Sequence, residues 1–304
     1  MIRQEYLNQV SLLVKILPYI AKEDCFALKG GTAINLFYSN LPRLSVDIDL
    51  TYIHFDSRDI AYTKINDALE RINNNLQSLG YKSFVRGDKE KKILCQDNNF
   101  ATVKIEPNYT LRGCIKKPEN ASICDNAEEL FGYIDFPILS KMETYGGKIC
   151  AALDRQHPRD LFDIYQLVQK DGITDEIIKG FVVMLLSANR PLSEIIAPNI
   201  LDRKSIYLSE FQGMTDIEFS YEQHVETLKY LINLVQDNLK NNYKELLLDF
   251  VSLNADFESF NIPNLEKLPA IKWKIQNLEK LREINPDKFR QEYDNLKKIL
   301  DWKW

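Results

Sequence analysis

An α/β domain followed by an all-helical remainder is the architecture that this 304-residue sequence predicts. Three observations predict it. Strictly alternating segments at 46–50 and 101–106, with a short apolar run at 25–28, all lie before about residue 135. From Ser140 onward the apolar residues recur at helical spacing. Pro263, Pro269 and Pro286 then divide the last third into long helical stretches. The expected organisation is an α/β core over 1–135 and a helical domain over 136–304, in line with about 150 residues per domain.

Taken in order, Leu7, Val10, Leu13 (or Val14) and Leu17 form a helical stripe that Pro18 interrupts. The apolar run Cys25–Leu28 reads as a strand that enters a tight turn at Gly30-Gly31. Thr32 is suited to cap a helix over 33–38. The next strand is Val46-Asp47-Ile48-Asp49-Leu50. Asp56 or Ser57 then caps a long helix carrying Ile60, Ile65, Leu69, Ile72 and Leu76 and ending near Gly80. In the strand at 101–106, Ala101, Val103 and Ile105 share one face, Thr102, Lys104 and Glu106 share the other, and Pro107 ends it or marks an edge. Ser140 with Glu143 forms a capping box for a helix to about Leu153, and Pro158 opens another that Asp171-Gly172 closes. A third spans roughly 175–188. Residues 189–220 read as a connector with short helices, and long helices are expected at 222–260, 271–285 and 287–302.

Composition excludes several classes. No apolar run approaches the ~20 residues a membrane helix needs, since Lys179 and Gly180 break the longest one. Arg3, Gln4 and Glu5 interrupt any secretory pattern, and five cysteines without a CxxC pair suit a reducing compartment, so a cytoplasmic location is expected. The net charge of −5 argues against indiscriminate nucleic-acid binding, but it is unevenly spread. Residues 265–304 hold ten Lys/Arg against seven Asp/Glu, which leaves −8 on residues 1–264. This basic tail carries Trp273, Phe289, Tyr293, Trp302 and Trp304, a mixture able to grip RNA, although inward-packed aromatics are the commoner explanation. The run Arg86–Lys92 is a second candidate RNA contact.

Asp47 and Asp49 stand two apart on a strand, so their carboxylates share a face and repel unless a cation lies between them. Hard divalent ions take such oxygens and bring substrate phosphates into the same shell. Gly30-Gly31-Thr32 at a helix start offers N–H groups and a hydroxyl to a phosphate. A solvent-facing amphipathic strand is the plain alternative, and the preceding Gly-Gly-Thr turn tips the balance toward chemistry. Glu106 is a third carboxylate, able to accept the proton of an attacking hydroxyl, with a surface strand end as an equal alternative. Lys148 can reach toward a phosphate, and Asp160 and Asp163 share a helical face. An ion-paired helix hairpin, with Arg155 and Arg159 serving Asp154, Asp160 and Asp163, explains that stretch equally well.

Gly30-Gly31-Thr32-Ala33, then Arg43-Leu44-Ser45-Val46-Asp47-Ile48-Asp49-Leu50, then Lys148 with Asp154-Arg155 and Arg159-Asp160-Leu161-Phe162-Asp163, resemble the AbiEii/AbiGii nucleotidyltransferase toxins, which are similar to the MenT toxins. The resemblance is clear over about 25–170. It implies a polymerase-β-like nucleotidyltransferase core with a helical C-terminal region, Mg²⁺ (or Mn²⁺), a nucleoside triphosphate substrate and a cognate antitoxin. Some members add nucleotides to the 3′ acceptor end of tRNA, which halts translation and serves phage defence. Carried over, Gly30, Gly31 and Thr32 would hold the triphosphate, with Ser45 beside the metal aspartates Asp47 and Asp49. Glu106 would be the third carboxylate, Lys148 a phosphate contact, and Asp163 the group that orients Lys148 or the nucleotide. Lys148 and Asp163 would thus join the active-site cleft from the helical domain. Two other functions stand beside an RNA-directed toxin: nucleotidyl transfer to a small molecule or protein, and a non-catalytic partner that binds nucleotide or antitoxin.

Overall fold

A computed structural model describes residues 2–301, so Trp302, Lys303 and Trp304 of the basic tail lie outside the described residues. Two compact units are present: 1–144 with 209–218, and 145–208 with 219–304.

The first unit opens with α1 (Gln4–Ile20), which buries Leu13, Leu17 and Ile20. Pro18 sits inside its last turn and does not interrupt it, because the lost N–H costs one terminal bond while the buried stripe holds the turn down. β1 (Phe26–Lys29) follows, then α2 (Gly30–Ala33), which continues as a wide π turn over Ile34–Tyr38. That helix starts at Gly30, so Thr32 lies within its first turn and not at its cap. Next come β2 (Asp47–Tyr52) and α3 (Arg58–Ser78). Ile60 is half exposed because the buried stripe of α3 begins one residue later, at Ala61. β3 (Lys82–Arg86), β4 (Lys92–Gln96), β5 (Thr102–Asn108), β6 (Glu119–Ser122), α4 (Asp125–Phe131) and β7 (Asp135–Ile138) complete the unit.

The seven strands form one mixed sheet in the order β3-β4-β5-β2-β1-β7-β6. β2 runs parallel to β5 and β1 parallel to β7, and the other neighbours are antiparallel. Helices α1 and α3 pack on one face, where Ile48, Leu50, Ile93, Val103 and Ile105 are buried. β5 runs through Pro107, since pairing with β4 stops at Ile105 and no ladder donor is needed on that side. Residues 209–218 return to this unit and brace the loop before β2. Leu44 N–H donates to Met214 O (2.8 Å), and the Thr215 hydroxyl donates to Pro42 O (2.7 Å).

The boundary between the units falls within α5 (Lys141–Arg155). The second unit continues with α6 (Pro158–Lys170), α7 (Asp175–Leu186), and the short α8 (Leu192–Ile196) and α9 (Lys204–Ile206). The expected helix at 222–260 is two helices, α10 (Tyr221–Asn242) and α11 (Lys244–Val251). Tyr243 leaves helical geometry between them, with φ −131°, and the turn lets Leu247, Leu248, Phe250 and Val251 be buried. α12 (Pro269–Ile284) and α13 (Pro286–Asp301) pack as an antiparallel pair, each opened by a proline suited to the first helical position.

Candidate active site

Alternation along β2 buries Ile48 and Leu50 and leaves Asp47 and Asp49 together on the opposite, partly open face. Lys29 at the end of β1 pairs with Asp49, so the turn that follows lies against that carboxylate. A Cβ on Gly30 would stand 2.8 Å from Asp49 Oδ2, and the φ of +69° there is one only glycine adopts freely. A Cβ on Gly31 would stand 2.8 Å from both Arg43 Nη2 and Ser45 Oγ. The two glycines therefore let the backbone close onto Ser45 and Asp49. The Thr32 hydroxyl donates to Asp47 O and lies 3.0 Å from Ser45 Oγ, which ties the helix start to β2.

On the other side of β2, the register places Lys104 opposite Asp47 and Glu106 opposite Asp49. Glu106 Oε2 is 2.7 Å from Lys104 Nζ, and its Oε1 is 3.1 Å from Lys92 Nζ. Burial opposes the charge of Glu106, but the two lysines outweigh it and hold the carboxyl below its ordinary range. Burial likewise opposes the Lys104 ammonium, and Glu106, Asp47 and Asp49 hold its pKa above the usual value. Three carboxylates and two ammonium groups thus share one patch of sheet.

This donor set suits a hard divalent ion. Two carboxylates converge from alternate positions of one strand, beside a glycine turn whose backbone touches one of them. Among the described residues no three His, Cys, Asp or Glu side chains form a ready-made cage. Mg²⁺ is commonly held by only one or two carboxylates, with water and substrate phosphates completing its shell.

Lys148 and Asp163 lie in the second unit, joined to each other. Lys148 Nζ is 2.8 Å from Asp160 Oδ1 and 3.0 Å from Asp163 Oδ2, and all three side chains are at most 5% exposed. Asp160 also accepts from Arg155 Nε at 2.6 Å, which links the end of α5 to the first turn of α6. Burial works against the charge on Asp160, and Lys148 and Arg155 overcome it, so its pKa is lowered. Of the expected surface pairs, Arg155 takes Asp160, whereas Asp154 is bound by Arg190. Lys148 is thus the buried centre of an ion cluster.

Sequence reasoning named Lys104 on the Glu106 face, Arg43 in the family motif and Lys92 in a candidate RNA-contact run, but gave none of them a part beside the aspartates. Lys104 shares the Glu106 face two residues earlier, a period-two signal available in the sequence. Lys92 depends on which strand lies beside β5, and Arg43 on the closeness of the Gly31 turn, and neither is written locally.

The chain matches the family described as "Nucleotidyl transferase AbiEii toxin, Type IV TA system" over residues 11–277. No curated protein sequence matches it significantly. Among solved structures it is similar to MenT4, a nucleotidyltransferase toxin from Mycobacterium tuberculosis H37Rv. That match has a TM-score of 0.58 at 13% identity and covers 97% of this chain and 95% of the other, a likeness of fold. No helix is long and apolar enough to cross a membrane among the described residues. With a mixed sheet that carries the aspartate pair beside a Gly-Gly-Thr turn, and a match across most of its length, the chain belongs to the AbiEii toxin family of nucleotidyltransferases.

Proposed function

We propose that this toxin transfers a nucleotidyl group from a nucleoside triphosphate to a hydroxyl of RNA, at the 3′ acceptor end of tRNA, and so blocks translation until a cognate antitoxin restrains it. The observation that carries the reading is the register of β2 and β5, which sets Glu106 opposite Asp49 beside the Gly30 turn. Asp47 and Asp49 are assigned to hold Mg²⁺ (or Mn²⁺), which when bound supplies positive charge to the phosphates. The first-turn N–H groups at Gly31 and Thr32 are assigned to the triphosphate, with Ser45 and Arg43 shaping the turn around it. The RNA hydroxyl oxygen attacks the α-phosphorus, a new O–P bond forms, the bond to the β-phosphate oxygen breaks, and pyrophosphate leaves. Glu106 accepts the hydroxyl proton, and Lys92 and Lys104 keep it ionised for that task. Lys148 is assigned to phosphate charge and Asp163 to its orientation, the second assignment alone being supported by their 3.0 Å contact.

Incubation with Mg²⁺, each labelled triphosphate in turn and total RNA tests the reading. Label on RNA with the wild type, absent with Asp49→Asn, is the expected result. Label only on protein or a small metabolite overturns the RNA assignment.

A further inference from the structure

We propose that the open face of β3, β4 and β5 is the seat of the acceptor RNA strand, which crosses the sheet edge to bring its terminal hydroxyl to Asp47 and Asp49. The inference rests on the RNA-directed reading above. Residues opposite one another in register point to the same face, and here they form rows that end at the aspartates. One row is Phe84, Leu94, Lys104 and Asp47. The next is Arg86 opposite Lys92, whose ammonium pairs with Glu106, itself opposite Asp49. The first unit's helices α1 and α3 cover the other face of these strands.

The composition of this face fits a polyanion with bases. Lys82, Arg86, Lys92 and Lys104 are set against Glu106 in a chain whose net charge is −5. Phe84 is 50% and Phe100 75% exposed, neither serving the core. Each ring carries a cation: Arg86 lies 5.5 Å from the Phe84 centroid and Lys82 5.9 Å from that of Phe100. An aromatic ring beside a cation offers a base something to stack on and its phosphate something to pair with.

Phe100 adds an independent argument. It stands at the tip of the β4–β5 turn with φ +64°, a conformation that bulky side chains rarely adopt. Asp97 holds the turn, its carboxylate accepting from Asn99 N–H and Ala101 N–H at 2.9 Å each. Glycine or asparagine would fit that backbone with less strain. A strained, exposed phenylalanine is explained by what it touches outside the chain. Four neighbouring strands about 4.8 Å apart put β3 roughly 14 Å from β2. That spans about four stacked nucleotides at about 3.4 Å each, a short single-stranded end.

The test compares wild type with Phe84→Ala, Phe100→Gly, the Lys82→Ala/Arg86→Ala pair, and Trp273→Ala as an exposed aromatic elsewhere. Transfer of labelled nucleotide to total tRNA is followed as RNA and salt are varied. Each phenylalanine variant is expected to raise KM for RNA at least about fivefold, the low end of a base-stacking contribution, with KM for the triphosphate unchanged. The basic pair lost together should flatten the salt dependence of log affinity by about 1.4, the value for two single-strand phosphate contacts. Phe100→Gly should also raise the thermal midpoint by up to about 3 °C, so weaker RNA binding and higher stability arrive together. Wild-type transfer to tRNA with an unchanged KM in all face variants overturns this surface and leaves the RNA reading standing. So does a raised KM confined to Trp273→Ala, or variants that lose only neutralisation by an antitoxin protein. No transfer to RNA by the wild type overturns both.

Discussion

Gly146 and Gly147 are adjacent on α5, and alanine at each should change stability in opposite directions. A Cβ on Gly146 would lie 2.2 Å from Gly180 C, 2.4 Å from Phe181 N and 2.6 Å from Gly180 O, all backbone atoms of α7. Carbon atoms rest at about 3.5–4.0 Å, so the two helices would have to part by more than about 1 Å where they cross. Backbone cannot swing aside as a side-chain tip does, which puts the cost at the upper end of overpacking, about 3 kcal/mol. Alanine recovers about 1 kcal/mol of helix propensity, and the net loss is about 2 kcal/mol. On Gly147 the new Cβ meets only Met184, at 3.9 Å from Cγ and 4.0 Å from Sδ, which is ordinary contact. There the propensity term stands alone, and Gly147→Ala should gain about 0.5–1 kcal/mol. Urea unfolding of the intact chain, read by circular dichroism, should separate the two variants by about 3 kcal/mol around the wild type. A Gly146→Ala midpoint equal to or above that of Gly147→Ala would refute the close crossing.

Asp49→Asn is expected to abolish transfer, at least about 10³-fold in kcat, with an unchanged unfolding midpoint; retention of activity sinks the site assignment. Lys148→Met removes the partner of two buried carboxylates and should cost about 3–5 kcal/mol. Denaturation at neutral pH checks it, and wild-type stability would show that Lys148 has no structural part. His224 is buried with Nδ1 unpartnered, and desolvation, aided by His157 and Arg203, lowers its pKa to about 4. The unfolded chain binds that proton from about pH 6.5, so this contribution is full above pH 6.5 and declines as pH falls toward 4, by up to about 3 kcal/mol. His224→Phe should flatten the difference between midpoints at pH 7 and pH 4.5, and an unaltered slope would refute it.

What the sequence discloses is what the chain writes locally. Asp47 and Asp49 alternate with Ile48 and Leu50, so their common face is legible from period alone. Gly30-Gly31 announces a tight turn, and Pro158 and Pro269 announce helix starts. The pairing of Asp49 with Glu106 is another matter, because parallel neighbours are chosen over long separations by packing on α1 and α3. Thr32 looks like a cap, and only the closeness of β2 shows its hydroxyl committed to Asp47 O. The break at Tyr243 and the strained φ of Phe100 have no proline or glycine to mark them.

The contacts of residues 209–218 set an order on synthesis. The loop that carries Ser45 toward Asp49 leans on Met214 and Thr215, and the Thr215 bond closes a separation of 173 residues. On a ribosome, the sheet and both Asp47 and Asp49 emerge long before that brace exists. A nascent or truncated chain ending before Met214 therefore holds both aspartates and lacks the two bonds by which residues 209–218 brace the loop before them. For a toxin, competence then waits until the chain has passed Thr215, and fragments cut from its N-terminal half should be harmless to the cell that makes them.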